Sequence, residues 1–304
     1  MGILFAFLAG LLASSSNYCM RRSIDSGGSS SAYLVIQLTF SFLVMILLNP
    51  VRMHEFGWDN TVLTLGLIGG LLLGAFMWGL GKSLEKGPAG LTLAIVNASS
   101  IVPALVLTLL FGFKYGHSYT LYNALGSVLV VIGIFWAGWT REKNSQSKSW
   151  PLYSIFVFVI HASYLVYLAW WAMLLTSDLP LGKLLPFHIQ TSHIQWFMPA
   201  VFFMAALFQW GAFLKGEKQI PKKSEIIYGF LGGITNGTCA FFLIKAPQVA
   251  TSWQNAMLFP IFSVAIIISC NIWSQAIYKE KVNWKANALC ITGLAIGTIV
   301  WHGL

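Results

Sequence analysis

Gly69-Gly70-Leu71-Leu72-Leu73-Gly74, with Lys82 eight residues further on, returns late in the chain as Gly232-Gly233-Ile234-Thr235-Asn236-Gly237, again with a lysine, Lys245, eight residues on. A second pattern repeats in the same order. Asn123-Ala124-Leu125 with Gly133 is matched by Asn287-Ala288-Leu289 with Gly297. A duplicated pattern in an apolar chain points to two related helical bundles, the construction of many transporters, in which the bundles rock around a shared site.

Composition fixes the class. The 304 residues are 57% hydrophobic and 9% charged, with a mean hydropathy of +0.73, far from the average of soluble domains. Pro88 to Phe113 and Ser118 to Trp139 contain no Lys, Arg, Asp or Glu, and uncharged apolar runs of this length are membrane-spanning helices. The net charge of +9 does not speak for nucleic acid, because the basic residues sit in short loops, where they set orientation. The cysteines Cys19, Cys239, Cys270 and Cys290 show no CxxC spacing and read as small apolar filler. Met1 to Leu12 lacks the basic residue of a signal-peptide n-region, so this stretch is expected to be a permanent span.

Ten spans are expected, at 2–18, 32–50, 61–81, 91–113, 120–139, 152–174, 193–214, 226–244, 249–273 and 287–302. The polar stretch Thr140 to Pro151 separates residues 1–143 from 144–304 as two five-helix repeats. Five is odd, so the second repeat must enter the membrane from the opposite side. The charges agree. One set of loops carries Arg21, Arg22, Lys82, Lys86, Arg141, Lys143, Lys148, Lys215, Lys218, Lys222, Lys223, Lys279, Lys281 and Lys285; the other carries only Arg52, Lys114, Lys183 and Lys245. The positive-inside rule makes the first set cytoplasmic and puts both termini outside. The expected fold is therefore an all-α integral membrane protein of ten transmembrane helices in two inverted repeats, in a bacterial cytoplasmic membrane.

Each half has a glycine-rich span, a short loop and a span with an internal Asn and Pro. Tyr278-Lys279-Glu280-Lys281-Val282 precedes the last span. This arrangement resembles the drug/metabolite transporter superfamily, in particular its EamA-like ten-helix members. Those proteins end each half with a Gly-Glu pair. Here Lys279 precedes Glu280 and Gly116 stands at the matching place in the first half, which makes the chain a divergent relative. The resemblance implies that the fourth and ninth spans line a central cavity. Small multidrug exporters of the superfamily hold a carboxylate in the first helix. No span here holds an acid at depth, so the expected cargo is a neutral, zwitterionic or anionic metabolite such as a sugar, an amino-acid-like or a nucleotide-like compound.

Several residues could carry transport. Gly70 with Gly74, and Gly233 with Gly237, are GxxxG spacings that let helices approach closely. Pro103 and Pro260 each remove a helix hydrogen bond and mark hinges. Asn97 and Ser100 before Pro103, and Gln254 and Asn255 before Pro260, are candidate substrate contacts, because carbonyls freed in lipid need a partner. Asn17 and Tyr18 close the first span with polar groups. His161, Tyr164 and Trp171 share one helix face by their spacing, and the histidine could bond a substrate hydroxyl or carry a proton. Lys82 and Lys245 either snorkel to the headgroups or attract anionic cargo at opposite mouths.

The sequons at Asn97 and Asn236 lie inside spans and are discarded. No Walker sequence is present, which leaves ATP-driven pumping without support. The expected function is secondary transport of a small organic metabolite, by a monomer as the simplest arrangement with a dimer as the alternative, with neither cofactor nor metal and with the bilayer and the cargo as partners. A non-transporting receptor or scramblase, or a membrane-embedded lipid-modifying enzyme, stands as the alternative. For an enzyme, Glu85, His117, His188, His193 and Glu280 form no recognisable pairing.

Overall fold

The computed structural model describes residues 1–86, 89–112, 119–138, 149–176, 191–216, 220–279 and 282–298. The linker boundary at 143/144, Glu280 and Gly116 lie outside them. Among the described residues there is no strand. The helices are α1 (Gly2–Asp25), α2 (Ser30–Ile46), α3 (Asn60–Lys86), α4 (Ala89–Ala98), α5 (Val102–Leu110), α6 (Leu121–Gly138), α7 (Trp150–Thr176), α8 (Phe197–Gly216), α9 (Lys223–Gln248), α10 (Ser252–Asn255), α11 (Leu258–Tyr278) and α12 (Trp284–Thr298). Eight stretches are long and apolar enough to cross a membrane. They match the expected first to fourth and sixth to ninth spans, and the expected fifth and tenth fall on the shorter α6 and α12. The described residues are thus all-helical and fit an integral membrane protein. The four cysteines are buried thiols outside any disulfide.

Local chemistry sets the helix ends. After α1 the chain turns at Gly27, whose φ of 76° is one that residues with a Cβ rarely adopt. Ser29 then caps α2 by accepting from the Ala32 amide at 3.0 Å. Asp59 caps α3, accepting from the Val62 amide at 2.9 Å. Thr120 and Asn123 cap α6 reciprocally. The Thr120 amide donates to Asn123 Oδ1 at 2.8 Å, and the Asn123 amide donates to Thr120 Oγ1 at 3.2 Å.

The contacts fall into two compact units that each draw on both halves of the sequence. One comprises Met1–Ser14, Lys82–Thr176 and Phe242–Leu304, the other Ser15–Gly81 and Ser177–Phe241.

In the first unit, α6 and α12 run antiparallel in close contact. A Cβ on Gly126 would meet the Gly297 Cα at 2.6 Å, and one on Gly133 would meet the Cys290 Sγ at 2.6 Å. Ala94, Val130, Ile134, Val264, Ile267 and Cys290 form an apolar core around that seam. A second core joins Ala6, Ala246, Met257, Leu258 and Ile261.

In the second unit, α3 lies parallel to α8, and α9 lies parallel to α2. Three glycines on each of α3 and α9 make the contact. Cβ atoms on Gly66, Gly70 and Gly74 would meet the Cβ atoms of Ala200, Met204 and Phe208 at 2.5, 2.6 and 2.8 Å. Cβ atoms on Gly229, Gly233 and Gly237 would meet those of Ile36, Phe40 and Val44 at 2.8, 2.6 and 2.8 Å. Helix backbones this close gain dispersion contacts and leave no room for a methyl group.

Candidate functional site

The first unit holds two interrupted helices. The expected fourth span is broken by a 3-10 turn at Ser99–Ile101, with Pro103 in the first turn of α5 behind it. The expected ninth span is broken between α10 and α11, with Met257 at the cap and Pro260 in the first turn of α11. Both prolines therefore sit where a missing N–H costs little, and the interruption falls one turn upstream of each. Helix α11 packs against the Ser99–Ile101 turn.

Polar side chains crowd the first break. Ser99 Oγ donates to the Val96 carbonyl at 2.6 Å. His161 on α7 approaches the same turn, its Nδ1 2.6 Å from Ser99 Oγ and 3.1 Å from the Val96 carbonyl. The Ser99 hydroxyl and the His161 imidazole thus converge on the Val96 carbonyl at the break. Ser100, 1% exposed, has no partner for its Oγ. Asn97 is buried and donates to the Leu93 carbonyl of its own helix at 2.8 Å.

At the second break, Gln254 Oε1 accepts from the Thr251 amide at 3.2 Å as part of a capping box, so its side chain serves the local turn. Asn255 is half-buried, and its Oδ1 is enclosed without a partner. Burying a polar oxygen unpaired costs about 1–3 kcal/mol, so an orphan at each break is a cost that a ligand's donor would relieve.

Other expected residues divide between the units. His161, Tyr164 and Trp171 are all buried on α7, as their shared face implies. Lys82 pairs with Glu85 at 2.9 Å on the surface of α3, which leaves it a neutralised rather than a lone cation. Lys245 is half-buried in the last turn of α9. Asn17 and Tyr18 are half-buried on the stretch of α1 that belongs to the second unit, the unit that also holds the two glycine ladders of α3 and α9. Among the described residues no group of three or more His, Cys, Asp or Glu could hold a metal ion.

The second unit also contains polar groups that the sequence reading passed over. Tyr33, Gln37 and Ser41 recur every fourth residue on α2, all buried. Tyr33 Oη donates to the Ser16 carbonyl at 2.9 Å, Gln37 Nε2 to Ser16 Oγ at 2.7 Å, and Ser16 Oγ to the Gly232 carbonyl at 3.2 Å. Ser41 Oγ donates to the Gly233 carbonyl at 3.0 Å, and Asn236 Nδ2 to Ser41 Oγ at 3.2 Å. The spacing of four was the available signal. Glu225 was missed as well. It is 3% exposed, and its two oxygens accept the backbone amides of Ser29 and Lys222, each at 2.5 Å. It thereby ties the start of α9 to the start of α2.

No family model matches the chain, and no curated protein matches it in sequence. Solved structures do match. One, described only as the crystal structure of a protein, superposes with a TM-score of 0.67 at 17% identity, covering 98% of this chain and 98% of its own. At that identity the likeness is one of fold over the full length.

Proposed function

We propose that the protein is a secondary transporter of a small neutral, zwitterionic or anionic organic metabolite, working by alternating access. In this reading ten spans form two inverted five-helix repeats of the drug/metabolite transporter type, set in a bacterial cytoplasmic membrane with both termini outside. A monomer suffices, and no cofactor is involved.

The observation that carries the proposal is the pair of helix breaks, each beside a proline and each leaving an enclosed polar oxygen, Ser100 Oγ and Asn255 Oδ1, without a partner. Interrupted spans with unsatisfied polar groups are where transporters bind cargo. Two further features support it. The glycine contacts of α3 with α8 recur, residue for residue, in α9 with α2, as duplicated bundles would give. The described spans have no buried acid at mid-depth. Glu225, the buried acid among the described residues, lies in the first turn of α9, which disfavours cationic cargo.

The experiment is counterflow in proteoliposomes with a panel of neutral, zwitterionic and anionic metabolites. At least one compound should accumulate with time. Ser100→Ala and Asn255→Ala should each lower its uptake about tenfold, the worth of one hydrogen bond to a bound ligand. Absence of time-dependent uptake for the whole panel would sink the proposal.

A further inference from the structure

The second unit contains a cavity of about 150 Å³ at the starts of α2 and α9, lined by residues 27–29 and 220–222 with Ala32 and Glu225. At about 30 Å³ for each water-sized group, it holds about five, the size of a phosphate. The metabolite expected as cargo would not fit.

Its one acid is already engaged. Glu225 is 3% exposed, and its two oxygens accept the Ser29 and Lys222 amides at 2.5 Å each, so the carboxylate serves as the anion of both helix starts. The charge left around the opening is basic. Lys222 and Lys223 are exposed, and Lys222 Nζ donates to the Gly27 carbonyl on the facing wall. Arg21 and Arg22 near the end of α1 and Lys215 at the end of α8 add to them, against Asp25 among the described residues of the two connections. Ser23 is fully buried, and its Oγ has no partner. That oxygen would lie 3.0 Å from a Cβ on Gly28, which lines the cavity, so an unspent hydroxyl stands at the wall.

Below the lysines the surface turns apolar. Ile220 at the lip is 90% exposed, and Ile226, Ile227 and Phe230 continue an exposed strip along α9, a helix long and apolar enough to cross a membrane. Cations above an apolar strip match the order of a phospholipid, phosphate outermost and acyl chains beneath. Basic pockets between membrane helices are where anionic headgroups bind.

We propose that this cavity binds the phosphate of an anionic phospholipid from the leaflet that these basic loops border, with Lys222 and Lys223 as its cations and the acyl chains along Ile220, Ile226 and Ile227. The site needs a membrane protein and does not depend on the transport reading.

The test is the melting temperature of the purified full-length chain in detergent micelles doped with phosphatidylglycerol, against phosphatidylcholine and against inorganic phosphate at equal ionic strength. Phosphatidylglycerol should give a saturable rise of about 2–4 °C, because a ligand that binds only the folded state stabilises it. Phosphatidylcholine and inorganic phosphate should give none. Lys222→Gln with Lys223→Gln should weaken the apparent lipid affinity at least tenfold, since each basic residue near an anionic surface contributes about fivefold. Lys279→Gln with Lys285→Gln removes the same charge before α12 and should leave it unchanged. If the first pair does not fold, Ile220→Glu, at an exposed position, sets a carboxylate at the lip and should abolish the rise. An equal rise with phosphatidylcholine or with inorganic phosphate, no rise at all, or a rise that the cluster variants leave intact or the control pair also removes, overturns the proposal.

Discussion

The α3–α8 and α2–α9 contacts are alike in backbone and opposite in chemistry. Each is a parallel pair joined by glycines at every fourth position, and a Cβ added to each glycine would meet a neighbouring Cβ within 2.8 Å. Along α8 the residues beside the glycines are Ala200, Val201, Met204 and Ala205; along α2, the same turns hold Ile36, Gln37, Phe40 and Ser41. Gln209 Nε2 donates to the Gly74 carbonyl at 3.1 Å, whereas the α2–α9 pair carries a branched network. Close approach therefore needs only the glycines, as the apolar pair demonstrates. The polar groups of the other pair add interhelical hydrogen bonds, each worth about 0.6 kcal/mol in lipid.

The ends of the two pairs should show the largest effect. Glu225→Ala should destabilise by about 3 kcal/mol, because it strips two amides of a charged acceptor. Asp59→Ala, which removes an ordinary cap from α3, should cost about 1 kcal/mol. Equal losses in reversible unfolding would erase that distinction.

Next in size are the glycines. Gly70→Ala and Gly233→Ala should each cost about 2 kcal/mol through overpacking, with matching drops in melting temperature. A loss confined to one of them would break the geometric likeness of the pairs.

The glutamines should differ in sign. Gln37→Leu removes an unsatisfied carbonyl along with one hydrogen bond and should leave the protein unchanged or up to about 1 kcal/mol more stable. Gln209→Leu should cost about 0.6 kcal/mol. If both destabilise alike under unfolding titration, the Gln37 carbonyl is satisfied after all. Ser41→Ala removes two hydrogen bonds, to the Gly233 carbonyl and from Asn236, and should cost about 1 kcal/mol, measured in the same titration.

Much of the fold was legible because the bilayer enforces it. Eight of the ten expected spans fall on helices long enough to cross, including the interrupted fourth and ninth. A helix interruption lies just upstream of each of the two prolines, Pro103 and Pro260, rather than at it. Site residues were less legible, because residue type does not reveal a partner. Asn97 and Gln254 looked like ligands and are engaged by their own helix and cap. Asn255 and Ser100 looked no different and have an oxygen without a partner. The duplicated Asn123 and Asn287 diverge in the same way. Asn123 Nδ2 donates to the Gly297 carbonyl at 2.7 Å, whereas Asn287 accepts from Asn271 at 2.9 Å and its Nδ2 has no partner.

Hydropathy and glycine spacing by themselves determined that the chain is helical and built to cross a membrane, and that its glycine ladders would be contact surfaces, because lipid forbids unpaired backbone and a glycine row admits a neighbouring helix. Which ladder meets which helix, and which buried oxygen lacks a donor, only the tertiary structure decided. Those depend on side chains brought together from residues far apart in the chain, such as Gln37 with Ser16 and Gly232, and no local pattern encodes a distance across that gap.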